Sequence, residues 1–111
     1  MADIADRLSR AAAKAELDQT ELARALDTNP RTISRWLQRE TAPRPDARER
    51  LLELIAVLEQ LSQVLHPQAA HDWLFTPNPL LDRHKPVDLL QQGEVRQVLG
   101  AIDGLAEGVF V

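Results

Sequence analysis

Apolar residues recur along this chain at intervals of three and four and nowhere alternate with period two, which predicts an all-α fold without a sheet. Ile4, Leu8, Ala11, Ala12 and Ala15 stripe residues 2–16. Leu51, Leu54, Leu58, Leu61 and Leu65 follow at heptad spacing through the longest expected helix, Asp46 to about Leu65. Leu52, Ile55, Val57 and Val64 widen that stripe. A helix so broadly apolar must pack on two sides, one for its own domain and one for a second subdomain or a second copy. The last expected helix, Glu94 to about Ala106, buries Val95, Val98, Leu99, Ile102 and Leu105.

Polar residues set the boundaries. Asp18 with Glu21 three positions on reads as a capping box, and Leu17 with Leu22 as its hydrophobic staple. Asn29-Pro30 is a cap followed by a proline at the first turn, opening a helix to about Arg39. Asp46 with Glu49 repeats the capping-box pattern after Pro43 and Pro45. His66-Pro67 closes the long helix, and a short helix runs to Phe75. Pro77-Asn78-Pro79 then forces a turn, with Asn78 as a cap; Pro86 opens another short helix that Gly93 breaks. No glycine precedes Gly93. The last helix carries Gly100 and Gly104, each costing about 1 kcal/mol against Ala, so close approach of another helix or of a partner is expected there.

Gln19 to Gln38 fits the helix-turn-helix pattern. Leu22 and Leu26 bury the first helix, Ala23 is small enough for a tight crossing, and Ile33 and Trp36 anchor the second helix. Arg31, Thr32, Ser34, Arg35 and Gln38 are left on the outer face, where base edges would be met. Arg39, Arg44 and Arg48 lie where phosphates could be met. Asp27 stands where a turn glycine is most common, a departure that Asp tolerates better than most residues.

Charge permits a nucleic-acid role without requiring it. The net charge of the 111 residues is −4, yet residues 1–50 hold ten Arg/Lys against nine Asp/Glu. Six arginines between Arg31 and Arg50 face only Glu40, Asp46 and Glu49, and such a local strip can contact phosphate. The absence of Cys points to a reducing cytoplasm, and Asp3 and Asp6 spoil a signal-peptide start. The longest apolar run, Leu54 to Leu58, is far too short to span a bilayer. His66, His71 and His84 lack metal-site spacing, Ser34 and Ser62 lack a nucleophile's setting, and no glycine-rich loop cradles a phosphate. No enzyme activity, metal or cofactor is expected.

The second half is more distinctive. His71-Asp72-Trp73-Leu74-Phe75 leads into Thr76-Pro77-Asn78-Pro79-Leu80-Leu81, then Lys85-Pro86-Val87-Asp88-Leu89-Leu90 and Gly93-Glu94-Val95. The end is Ala106-Glu107-Gly108-Val109-Phe110-Val111, three bulky apolar residues beside a carboxylate. Such an end suits either a strap on the chain's own core or a plug for a partner's pocket. Trp73 and Phe75 suit a core as well as an interface.

This arrangement resembles the Xre/MbcA/ParS-type antitoxins that pair with RES-domain toxins, over essentially the full chain, and most of all the MbcA branch. The resemblance implies a small all-α antitoxin that silences an NAD-consuming enzyme. Its second half would bind the toxin, with Trp73, Phe75, Asn78 and Pro79 shaping that surface and Gly104, Gly108, Val109, Phe110 and Val111 forming the inhibitory end. Its first half would support dimerisation and repression of the shared operon, with Arg31, Thr32, Ser34, Arg35, Gln38, Arg39 and Arg44 on DNA. The expected organisation is a helix-turn-helix region over 1–45, a central dimerisation helix over 46–65 and a toxin-binding domain over 66–111. The partners are the cognate toxin, a second copy and operator DNA. A stand-alone helix-turn-helix regulator is the alternative, and a helical scaffold with neither activity a weaker one. The apolar end speaks for the antitoxin, since a plain repressor has no use for it.

Overall fold

The computed structural model describes residues 3–108. Its helices are α1 (Ile4–Ala13), α2 (Gln19–Ala25), α3 (Pro30–Leu37), α4 (Pro45–Ser62), α5 (Pro67–Leu74), α6 (Pro86–Gln91) and α7 (Val95–Ala106), with a 3-10 turn at Pro79–Leu81 between α5 and α6. No strand occurs among the described residues; the nearest thing is one antiparallel bridge between Asn78 and His84.

Caps and prolines start these elements. Asp18 accepts from the Glu21 amide at 2.8 Å while Glu21 accepts from the Asp18 amide at 3.0 Å, the full capping box. Asn29 accepts from the Thr32 amide at 2.9 Å. Five elements open on a proline in the first turn, where the missing N–H would have had no helical partner: α3, α4, α5, the 3-10 turn and α6. At α4 this overturns the expected Asp46/Glu49 box. Arg44 stands at the cap without a side-chain bond, and the fixed φ of Pro45 starts the helix one residue earlier. Asp46 still sits in the first turn, where a negative charge is favourable.

The helices of the first half stop without glycine by one device. Glu16, Asp27 and Arg39 take positive φ of 52°, 55° and 60°. Beyond them the amides of Leu17, Thr28 and Glu40 reach back to the carbonyls of Ala12, Ala23 and Arg35 at 3.0, 2.9 and 2.9 Å. These are Schellman closures. Arg39 is therefore the residue that ends α3 and not its last turn, and α3 stops at Leu37. Likewise α4 stops at Ser62, and residues 63–65 continue as a turn.

One apolar core runs from Leu8 to Ile102. α4 lies at its centre, packed by α1 from the first half and by α7 and α5 from the second. Leu51, Leu54, Ile55, Val57, Leu58 and Leu61 are all buried. Most of the two-sided packing expected of α4 thus comes from the chain itself. α2 in turn packs on both α3 and α6, so the halves meet at two places.

Arg50 joins α4 to the end of α6: its guanidinium donates to the carbonyls of Leu90 and Gln91, both at 2.9 Å. Those carbonyls are among the last of a helix, where i+4 donors run out; that of Leu90 also accepts from the Gly93 amide at 3.0 Å. Arg50→Met is expected to lower unfolding free energy by about 1–3 kcal/mol, the usual worth of hydrogen bonds from a charged donor, as read by urea unfolding.

Candidate functional site

The first candidate surface is α3. Arg31, Arg35 and Gln38 are exposed, and Thr32 and Ser34 are half-buried. The Thr32 hydroxyl donates to the Asn29 side chain at 3.1 Å, and Ser34 accepts from the Gln38 amide nitrogen at 3.0 Å, so two of the five outward groups are oriented by neighbours. Ile33 is fully buried. Trp36 only partly enters the core; its ring borders a hollow of about 230 Å³ with Ile4 and Pro43.

The basic strip is smaller than its residue count suggests. Arg39 is forked onto Asp3 at 2.7 and 3.1 Å and reaches Asp6 at 2.9 Å. Its left-handed backbone turns it toward the start of α1. Arg50 is spent on the end of α6. Arg31, Arg35, Arg44 and Arg48 remain exposed without an ion pair among the described residues.

The second candidate surface lies on α5, the 3-10 turn and α7. Trp73 and Phe75 are partly buried against the core, which serves both of their readings. Asn78 is buried and caps the turn, accepting from the Leu80 amide at 2.9 Å. Its backbone closes the loop by pairing with His84 and Arg83. Pro79 is exposed, and Leu80 keeps 43% of its surface in water. The turn packs on α7. On α7, Gly104 is half-buried and Gly100 is exposed; a methyl group at Gly100 would meet no atom within 4 Å. Among the described residues no other helix makes the close approach expected at Gly100. Gly108 ends the described chain at φ 80°. Val109, Phe110 and Val111 lie outside the described residues.

A polar cluster ties α2 to α5 and α6, and so the two halves together. Glu21 of α2 meets His71 of α5 at 2.6 Å. His71 stacks on Phe75 with centroids 4.8 Å apart, and Arg24 of α2 lies 5.6 Å from the same ring. Arg24 also pairs with Asp88 of α6 at 2.6 Å. Sequence reasoning assigned Arg24, His71 and Asp88 no role in joining the halves. Partners 50 and 64 residues apart leave no trace in local spacing.

Comparison with known proteins bears on the second of these surfaces. Residues 53–107, from within α4 through α7, match the model of the antitoxin Xre/MbcA/ParS C-terminal toxin-binding domain. The mycobacterial cidal antitoxin MbcA of Mycobacterium tuberculosis is 39% identical over 108 residues, covering 97% of this chain and 96% of that protein. This chain belongs to the MbcA antitoxin family. A second M. tuberculosis protein, described as a probable mycobacterial cidal antitoxin, is 31% identical over 84% of this chain and 79% of its own length. A chain in the crystal structure of the M. tuberculosis MbcT–MbcA toxin–antitoxin complex superposes with a TM-score of 0.87 at 38% identity, each chain covered in full. The all-α expectation and the family resemblance therefore hold. Trp73, Phe75, Asn78, Pro79 and Gly104 of the antitoxin all fall inside the matched toxin-binding domain. Among its described residues no helix is long and apolar enough to cross a membrane.

The Arg39 fork makes a testable electrostatic statement. Hydrogen bonding from Arg39, helped by the Asp6 amide, holds the Asp3 carboxyl below its ordinary value. A lowered carboxylate pKa stabilises the fold above the unfolded value and is lost as pH falls through the folded one, here below about pH 4. In Arg39→Gln, the Asp3 titration followed by NMR should move up toward an ordinary aspartate, and acid unfolding should begin at higher pH.

Proposed function

We propose that this antitoxin binds a cognate RES-domain toxin in the cytoplasm and stops it from degrading NAD. The surface of the 3-10 turn and α7 forms the contact, and the segment from Gly104 to Val111 covers the toxin's active site. The observation that carries this reading is the surface itself: an exposed Leu80 on a turn packed against α7, whose Gly100 faces open space. It lies in the stretch that matches a toxin-binding domain. The relative's crystallisation as a toxin–antitoxin complex supports it. The antitoxin acts by occupancy and carries no catalytic group of its own.

A second role rests on α3. Arg31 and Arg35, presented with Thr32, Ser34 and Gln38, read the operator of the antitoxin's own operon, and Arg44 meets phosphate. Arg39 acts there through the start of α1, because its guanidinium is held by Asp3 and Asp6.

Magnitudes decide what tail removal does. Burying Val109, Phe110 and Val111 contributes at most about 5–9 kcal/mol. Ordering those residues costs about 1–2 kcal/mol each in backbone entropy. The surplus is modest, so the helices around Trp73 and Leu99 supply most of the affinity. Deleting Gly108–Val111 should leave a complex that co-purifies while the toxin regains NAD turnover, and Phe110→Ala should be the most damaging single change. If the truncated chain still silences the toxin at equal stoichiometry, the tail is a strap and not a plug.

For DNA, Arg31→Ala and Arg35→Ala should each lose about 1–3 kcal/mol of specific binding to the operon's promoter. Arg44→Ala should weaken binding to every sequence and flatten its salt dependence. Equal affinity of the parent protein for promoter and scrambled DNA would remove this role and leave α3 as packing alone.

A further inference from the structure

One cation of the basic strip is already engaged within the chain. Arg39 lies just past the end of α3 and borders the same hollow as Arg48, an exposed arginine with no ion pair among the described residues. Its Nε donates to one oxygen of Asp3 at 2.7 Å. Its Nη2 donates to the other oxygen at 3.1 Å and to Asp6 at 2.9 Å. Two such bonds side by side are the fork by which arginine also takes a phosphate. The carboxylate of Asp3 thus fills the place a phosphate would take.

We propose that the start of α1 is an autoinhibitory contact: Asp3 and Asp6 hold Arg39 off nucleic-acid phosphate, and the backbone of a duplex seated on α3 displaces them. This rests on the operator reading of α3 and adds a control on its affinity. Exposure makes the contact a gate and not a permanent lock. The side chains of Arg39, Asp3 and Asp6 keep 54%, 51% and 51% of their surface in water. An ion pair so open adds little to the fold and is exchanged at little loss. A duplex phosphate offers the guanidinium equivalent acceptors and releases counterions as well. Charge sets the direction of the control. Two aspartates and one arginine sum to −1, which turns phosphate away, whereas Arg39 alone would present +1. The charge of Asp3 is also separable from its structural duty. It caps α1 by accepting from the Asp6 amide at 2.9 Å, which an asparagine oxygen does equally well.

The test is fluorescence anisotropy of the full chain on a duplex of its operon's promoter and on a scrambled duplex, between about 50 and 200 mM salt. Asp3→Asn combined with Asp6→Asn should tighten binding about tenfold at the lower salt and about threefold at the higher. One added phosphate contact steepens the salt slope by about 0.9. The gain should need Arg39. In an Arg39→Gln background the same two changes should tighten binding less than about threefold at the lower salt, as a double-mutant cycle reads it. Circular dichroism should show the helix content kept in every variant. An equal gain with and without Arg39 overturns the inference, because the aspartates then act only by repelling DNA. No gain in a chain that prefers its promoter overturns it too, and leaves the operator reading intact. A gain through Arg39 in a chain without promoter preference upholds the contact and removes the operator reading instead. A chain that binds neither duplex, with or without the aspartates, overturns both.

Discussion

Helix α4 is held between α1, from the first half, and α7, from the half that matches the toxin-binding domain, and each half completes its core only by sharing that helix. Six of its Leu, Ile and Val side chains are buried, each worth about 1.5–3 kcal/mol. Divided at residue 45, the first half would keep Leu8, Leu22 and Ile33 but lose what they pack on. The second half would retain an apolar helix with an uncovered side. Shared burial therefore makes one cooperative unit of the two regions.

The contact of α2 with α6 fixes the angle between those regions, and its polar cluster acts as a register more than as glue. Arg24 and Asp88 expose 41% and 37% of their side chains, so their pair is worth at most about 1 kcal/mol. The Glu21–His71 pair is better shielded, at 23% and 29% exposed. Glu21 gives one oxygen to the cap of α2 and the other to His71, so the same carboxylate caps a helix of the first half and touches the half that matches the toxin-binding domain. Apolar area supplies the stability, and these directional bonds choose among the ways it could be buried.

Local chemistry was legible in the sequence because it is local. The box at Asp18 and Glu21, the cap at Asn29, the left-handed Asp27 and the cap at Asn78 each depend on residues within four positions. The long helix was legible from Leu spacing. Its start was not, because Asp46 and Glu49 imitate a box that the fixed φ of Pro45 pre-empts. Glu16 and Arg39 as left-handed closures carried no signal, since neither residue type favours that conformation. Counting arginines overstated the basic strip for a related reason. Whether Arg39 and Arg50 face solvent or bind Asp3 and the end of α6 is decided by elements far away in the chain. Around α5 the residue types were readable, while the partnership of Phe75 with Arg24 needed the fold.

The glycine-free closures of α1, α2 and α3 have a consequence for how firmly this half stays folded. A left-handed backbone costs an ordinary residue roughly 1–2 kcal/mol that glycine would not lose; Glu16 and Arg39 carry that cost in full and Asp27, which tolerates the conformation better, carries less. The whole margin of a small domain is only about 5–15 kcal/mol. A chain kept below its attainable stability has a folded population that responds to occupancy: a ligand at a hundred times its dissociation constant adds about 2.7 kcal/mol by mass action. That addition is comparable with what two such closures withhold, so the persistence of the folded antitoxin depends on the company it keeps as well as on its own packing.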